Sequence, residues 1–421
     1  MSKKFLLPSL FLASILLLNS CSGTNLNTTS VNTIAQKITA QSFSSENAVI
    51  NAKIDKLMSA KRTFNNAQPI MYIDGNDAYN NLIRIMDEAK KTLFVETFIF
   101  HNDDSGLKVA NKLIEKKKQG VDVRVLVDGL GLKAKSGDSK ICDYLTSNGV
   151  DVKIYNKLLV GIHGINITHR KATIADGETA ITGGMNFGGE YENVWHDSLT
   201  EIRGEVSQDL QKEFLIDWKQ AGGETPKTIL KLPTNKNYGN TPIRVVVTSA
   251  IEQDKRYQIK DSLLTLINNS KTRIIMEGAY FSDDDLINSL INASKRGVDV
   301  NVIIPRKGDS GIYNTLNLLS AKQMIEAKVN VFFYEPRFAH MKAAIVDDFV
   351  VVGSANPDSR SYRENQELNV IIENTEFRSD IELKLITTDM YQSKIQDLKS
   401  VDVSAPKKIV QSVLELLDYY L

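Results

Sequence analysis

The sequence predicts an α/β protein built from two tandem copies of one domain, related by a pseudo-two-fold duplication, with the active site at their interface. Three observations carry this. First, strand-like apolar segments alternate with amphipathic helix-like ones along most of the chain, which indicates βαβ units and a buried, largely parallel sheet. Second, the text repeats. Thr92-Leu-Phe-Val-Glu-Thr-Phe-Ile-Phe100 resembles Thr272-Arg-Ile-Ile-Met-Glu-Gly-Ala-Tyr280, with Glu96 and Glu277 near the same place. Gly120-Val-Asp-Val-Arg-Val-Leu-Val127 then matches Gly297-Val-Asp-Val-Asn-Val-Ile-Ile304. Third, each copy carries the same histidine motif. Duplicated α/β domains that pack together place their sites between them.

In chain order, the first segment is an address. Lys3 and Lys4 precede an apolar run from Phe5 to Leu18. The run is too short for a membrane span of about 20 residues and has the length of a secretory signal. Leu18, Ser20 and Cys21 resemble a bacterial lipobox in which Cys21 would carry the lipid, with Asn19 departing from the usual small or apolar residue. A transmembrane anchor is the alternative for residues 1–20. Ser, Thr and Asn then dominate, so 21–65 is expected to be a flexible tether. The first domain is placed at 66–240 and the second at 241–400, joined through Asn235-Lys-Asn-Tyr-Gly-Asn-Thr-Pro242. Residues 401–421 are expected to form a C-terminal helix, since Ile409 to Leu421 has helical apolar spacing suited to packing or to a membrane surface.

Composition narrows the function. Hydrophobic residues make up 42% and charged residues 24%. That is an ordinary globular balance and excludes wholesale disorder. Lys+Arg is 51 and Asp+Glu is 51, and the absence of a basic excess argues against a nucleic-acid partner. The two cysteines exclude a disulfide scaffold and a Cys-based zinc module, and Cys142 reads as a buried structural thiol.

The chemistry lies in the doubled motif. Copy one reads His169-Arg-Lys171-Ala-Thr-Ile-Ala-Asp176, then Gly183-Gly-Met-Asn186. Copy two reads His340-Met-Lys342-Ala-Ala-Ile-Val-Asp347, then Gly353-Ser-Ala-Asn356. In extended chain, His and Lys at i and i+2 share a face. Two such segments facing each other surround one cavity with two imidazoles and two ammonium groups. That provides positive charge and donors for a phosphoryl group, with a nucleophile and a proton donor on opposite sides for in-line displacement. No carboxylate cluster of metal-ligand type is evident, so the lysines would replace a divalent cation; neither a metal nor another cofactor is expected. Each histidine needs an acceptor on its other nitrogen. Asp197, downstream of His169, and Glu367, at a similar distance downstream of His340, are the candidates. Asp176 and Asp347 complete the motif and are counted with the catalytic set, although a position between a strand and a turn suits a structural role. His101, His163 and His196 read as ordinary core or surface residues.

This doubled His-Lys-Asp text resembles the phospholipase D superfamily over residues 70–400. Glu96-Thr-Phe-Ile-Phe100, Val125-Leu-Val-Asp-Gly129, Asn166-Ile-Thr-His169-Arg-Lys171, Gly183-Gly-Met-Asn186, and Ser359-Arg-Ser361 followed by Glu367-Leu-Asn369 resemble bacterial cardiolipin synthases most. The resemblance implies two phospholipase D-like domains, a phosphohistidine intermediate and no metal. It makes His169 the nucleophile and His340 the general acid and then base. Lys171, Lys342, Asn186, Asn356 and Ser354 become phosphate ligands, with Gly184 standing where the motif often has Ser. The implied protein is an exported phosphatidyltransferase or phospholipase D, held by lipidated Cys21 in a bacterial envelope and acting on a phospholipid such as phosphatidylglycerol. In a diderm bacterium the anchoring membrane would be the outer one. A secreted phosphodiesterase or endonuclease, and a non-catalytic lipid-binding lipoprotein, are the alternatives.

Overall fold

A computed structural model describes residues 44–58, 61–133, 139–156, 166–227, 229–399 and 401. The expected signal segment, Cys21, His163 and the C-terminal helix lie outside them. Ser44–Leu57 is helix α1, so the tether expected over 21–65 does not run through that range as a flexible chain. Ile50 and Ile54 bury themselves in the core of the second copy, as residues one helical turn apart can. Asn47 and Asn51 donate to Asp348 and Glu373 at 3.0 Å each. The Ser/Thr/Asn composition that suggests a linker gives way at Glu46 to this apolar edge.

The first copy runs β1 (Ile70–Ile73), α2 (Gly75–Glu88), β2 (Thr92–Thr97), α3 (Asp104–Lys118), β3 (Asp122–Asp128), α4 (Lys140–Ser147), β4 (Asp151–Tyr155), β5 (Ala172–Ala175), β6 (Thr179–Gly183), α5 (Gly189–Asn193), β7 (Ser198–Arg203) and α6 (Glu205–Gln220). The second runs β8 (Ile243–Ser249), β9 (Arg256–Tyr257), α7 (Gln258–Asn269), β10 (Arg273–Glu277), α8 (Asp284–Lys295), β11 (Asp299–Pro305), α9 (Gly311–Glu326), β12 (Asn330–Tyr334), β13 (Ala343–Val346), β14 (Phe349–Gly353), α10 (Ser359–Arg363), β15 (Glu367–Glu373), α11 (Thr375–Lys384) and β16 (Ser393–Ile395). The wide π-helical turn Leu385–Met390 follows α11. No helix among the described residues is long and apolar enough to cross a membrane.

The sheet orders show the duplication. The first is β1-β7-β6-β5-β2-β3-β4, and the second contains the equivalent β8-β15-β14-β13-β10-β11-β12, extended by β9 and β16. Helix caps repeat as well: Asp103 accepts from the Gly106 N–H and Asp283 from the Leu286 N–H, each satisfying a donor that the helix leaves open. The expectation of a largely parallel sheet needs correction. Only β2-β3-β4 and β10-β11-β12 are parallel, and the motif strands enter antiparallel. Parallel pairing needs a crossover connection, and α3, α4, α8 and α9 supply it between these neighbouring strands. A shared core of Phe94, Phe214, Trp218, Val245, Ile303 and Val370 joins the two copies, with Phe94 stacked on Phe214 at 5.0 Å.

Candidate active site

The histidines sit in extended chain just ahead of β5 and β13. Thr168 forms a parallel bridge with Gln366, and Ala339 one with His196. Each lead-in thus lies beside the segment of the other copy that carries an acidic residue. The His169 N–H donates to the Gln366 carbonyl at 2.9 Å, and the His340 N–H to the His196 carbonyl at 2.7 Å.

The consequence is a crossed pairing. Nδ1 of His169 lies 2.9 Å from Oε1 of Glu367, and Nδ1 of His340 lies 2.7 Å from Oδ2 of Asp197. Matching offsets within each copy suggest the uncrossed assignment, which the topology overrules. With both Nδ1 atoms occupied by carboxylates, Nε2 is the reactive nitrogen of each ring. The Lys342 ammonium lies 3.0 Å from His340 Nε2. Lys171 donates to the His169 carbonyl at 2.7 Å. Phe98 packs edge-on to His169, while Tyr191, Trp195 and Phe338 surround His340 with ring centroids 5.8, 5.0 and 5.5 Å away.

Several expected phosphate ligands have other partners. Ser354 donates its hydroxyl to Glu367 Oε2 and accepts from the Leu368 N–H at 3.0 Å, so it fixes the orienting carboxylate rather than facing a phosphate. Gly184 is the corresponding position: a Cβ there would lie 2.3 Å from Oδ1 of Asp197, so the missing hydroxyl makes room for that acid. Asn186 accepts from the Ile99 N–H at 3.0 Å and the Thr97 hydroxyl at 3.3 Å, which ties its side-chain carbonyl to the end of β2. The Asn356 side-chain carbonyl is buried without a hydrogen-bond partner among the described residues.

Asp176 and Asp347 are corrected from catalytic to structural. At φ of 54° and 50° each heads a tight turn. Asp176 accepts the N–H groups of Lys90 and Thr92 at 2.8 Å and of Lys91 at 2.7 Å. Asp347 accepts those of Lys271, Thr272 and Arg273 at 2.7, 2.9 and 3.0 Å. They anchor the starts of β2 and β10, at the far end of β5 and β13 from the histidines. Each hydrogen bond to a charged group contributes about 1.5–3 kcal/mol. Asp347→Ala should therefore lower stability in urea unfolding by ~2 kcal/mol or more, while the folded fraction keeps kcat within a few-fold of wild type.

Burial and mutual charge set the protonation states. Burial, helped by Lys171 and Lys342, lowers His169 to about 4. It works the other way on Glu367, but the adjacent His169, Lys171 and the Ser354 hydroxyl hold that carboxyl down at about 2. Burial, Lys342 and Lys171 hold His340 well below its ordinary value. Burial raises Asp197 to about 6 and lowers Lys342 to about 8. The charge of Lys342 reaches His169 and that of Lys171 reaches His340, so the two motifs form one electrostatic site. At neutral pH the free enzyme holds two neutral imidazoles, each backed by a carboxylate. A phosphodiester anion would both complement the positive pocket and restore a proton to one of them.

Sequence reasoning missed Asp128. Fully buried at the end of β3, it accepts the N–H groups of Thr168 and Leu130 at 2.8 Å and of Gly131 at 3.1 Å, fixing the chain just before His169. An acid closing an apolar strand ahead of glycine was its one signal. Also missed was a buried trio of metal-ligand type, His196, Glu277 and Asp389, on three separate segments.

A family described as "Cardiolipin synthase, PLD-like domain" matches residues 82–218 and 263–386. A cardiolipin synthase of Clostridium perfringens is 31% identical over 344 residues, covering 78% of this chain and 70% of its own. The major cardiolipin synthase ClsA of Bacillus subtilis is 32% identical over 328 residues, covering 75% and 66%. The crystal structure of a phosphatidylserine synthase from Haemophilus influenzae shares the fold, with a TM-score of 0.61 at 15% identity over 87% of this chain and 97% of that one.

Proposed function

The chain belongs to the cardiolipin synthase family of proteins with PLD-like domains, and from that premise we propose that it moves a phosphatidyl group between alcohols through a phosphohistidine. The crossed His–carboxylate pairing is the observation that carries this reading. It gives two imidazoles, each backed at Nδ1 by a carboxylate and flanked by the two lysines, which suits two successive displacements at one phosphorus.

In the first step His169 Nε2 attacks phosphorus, an N–P bond forms and the P–O bond to the headgroup breaks. His340, protonated in the presence of the anionic substrate, gives its proton to the departing oxygen. In the second, an acceptor alcohol loses its proton to His340, its oxygen bonds to phosphorus and the N–P bond breaks. Lys171 and Lys342 counter the charge on the equatorial oxygens, with Asn356 as a further contact. Transfer must outrun hydrolysis in about 55 M water, which a held acceptor achieves through an effective molarity of up to roughly 10⁵–10⁸ M. The aromatic wall of Tyr191, Trp195 and Phe338 excludes water on the His340 side.

The donor and acceptor this reading favours are two molecules of phosphatidylglycerol. Vesicles of that lipid should yield cardiolipin and free glycerol. Phosphatidic acid as the only lipid product, undiverted by added glycerol, would decide for a hydrolase; cleavage of DNA with no lipid turnover would decide for a nuclease. The chain would work on the exported side of a bacterial membrane, anchored through Cys21, since two acyl chains bind a bilayer stably. Cys21→Ser should then abolish fatty-acid labelling and leave a larger precursor, and labelling that survives the change would remove the anchor.

A further inference from the structure

The two histidine crossings look alike in backbone but not in charge. In the first, His169 is followed by Arg170, whose guanidinium lies 2.8 Å from buried Asp217, with buried Glu96 beside it. In the second, Met341 takes the place of that arginine, and the equivalent buried acids are Glu277 and Asp389. The cation facing them comes from the other copy. His196, equivalent to Gln366 in the first crossing, has Nε2 2.9 Å from Asp389 Oδ1 and Nδ1 2.8 Å from Asp74 Oδ1, and its ring stacks on Tyr334 at 4.9 Å.

We propose that His196 is a positioning residue for the transfer reaction, held as an imidazolium between Asp74 and Asp389 and fixing the His340–Asp197 pair. This rests on the reading of the site given above. Nδ1 makes the hydrogen bond to Asp74, while the Nε2–Asp389 contact is an ion-pair approach outside hydrogen-bond alignment. A neutral imidazole has one N–H and would turn a bare nitrogen lone pair toward one of the two carboxylates. The His196 main chain holds both flanks of the catalytic segment: its N–H donates to Phe338 at 2.9 Å and its carbonyl accepts from His340 at 2.7 Å. Asp197 is the next residue, and the charge on His196 helps keep that carboxyl ionised against burial. Loss of the charge would leave Asp197 a poorer acceptor for His340 Nδ1.

The groups facing His196 are Asp74, Asp389, Glu277, Tyr334 and Arg337, the last itself paired with Asp74. Burial opposes the charge, but Asp389, Asp74 and Glu277 outweigh it and raise His196 well above its ordinary value. The trio has metal-ligand types. Yet Asp217 in the first crossing likewise has no hydrogen bond to either oxygen among the described residues, while a guanidinium occupies the cation position there. The position therefore takes a side-chain cation.

The full chain, as wild type, His196→Gln and His196→Arg, would be compared for kcat, KM and pH profile on phosphatidylglycerol vesicles, with thermal unfolding run on each. A catalytic group misplaced by about 1 Å costs ~10²-fold. His196→Gln should thus lose about 10²-fold in kcat with KM little changed, and the permanent cation of His196→Arg should restore most of it. Beyond the limb set by His340, the wild type should show a further loss of kcat at higher pH as His196 deprotonates, and His196→Arg should lack that further loss. NMR of ¹³C-labelled histidine reads the charge directly: His196 should stay protonated well above the ordinary histidine value of 6.5, and in Asp389→Asn it should titrate lower. An ordinary histidine titration in the wild type, equal losses in both His196 variants, or a stoichiometric divalent ion in the purified chain would overturn the proposal. The NMR result stands whichever lipid reaction is correct, so it separates a failure here from a failure of the phosphatidyltransferase reading.

Discussion

Replacing either catalytic histidine by alanine should cost at least ~10³-fold in kcat/KM on phosphatidylglycerol, and the double variant should be little worse than the more damaged single one. The two rings act in one sequence, so removing the second from a stalled cycle has little left to remove. The two losses should differ in kind. Without His169 there is no nitrogen to attack phosphorus, and no covalent species forms. Without His340 the first step lacks a general acid, typically ~10²–10⁴-fold, but a good leaving group removes that need. A p-nitrophenyl phosphodiester offered to His340→Ala should therefore give a burst of nitrophenol near one per chain and then stall, with phosphate trapped on His169. Acid-labile, base-stable labelling of the protein checks the nitrogen linkage. A steady rate without a burst, or a burst that survives His169→Ala, would sink the assignment.

Part of this machinery is legible in the chain and part is not. The histidines and lysines can be read because a short pattern recurs inside a longer repeat, and i, i+2 spacing in extended chain fixes their common face. The likeness of the two sheets follows from the same repeat, but their mixed strand directions do not, and the alternation of strands and helices points wrongly to a largely parallel sheet. Asp197 and Glu367 can be picked out as residue types at matching offsets. Their crossed partnership depends on Thr168 lying beside Gln366 and Ala339 beside His196, contacts between the two copies that no local pattern encodes. Ser354 looks like a phosphate ligand because a hydroxyl near a histidine motif has that chemistry; its hydroxyl is taken by Glu367. Asp176 and Asp347 share the motif spacing for a different reason, since each must return to the start of a neighbouring strand. The helix at Ser44–Leu57 is hidden by the polar composition that precedes it.

The crossed pairs predict opposite kinetic defects for two nearly isosteric changes. Glu367→Gln puts an amide against Nδ1 of His169. An amide N–H donated to Nδ1 forces the ring proton onto Nε2, where the attacking lone pair is needed, and such a wrong tautomer costs roughly 10⁴-fold in a hydrolase of comparable design. Formation of the intermediate should be lost and no burst should appear. Asp197→Asn does the same to His340, whose Nε2 must act as a base in the second step. Here the burst on a nitrophenyl ester should persist while turnover falls by about 10²–10⁴-fold. The pH profiles follow from the charges. In the free enzyme the attacking form needs neutral His169 and protonated His340, and both are held below their ordinary values by burial and the two lysines, His169 at about 4. The profile of kcat/KM should therefore fall on its alkaline side at acidic pH. The bound phosphodiester adds a negative charge beside His340 and raises it, so the alkaline limb of kcat should lie at higher pH than that of kcat/KM. Asp197→Asn removes the carboxylate behind His340 and should move that limb down. An unchanged limb, or a burst lost in Asp197→Asn and kept in Glu367→Gln, would mean that the two histidines have exchanged roles.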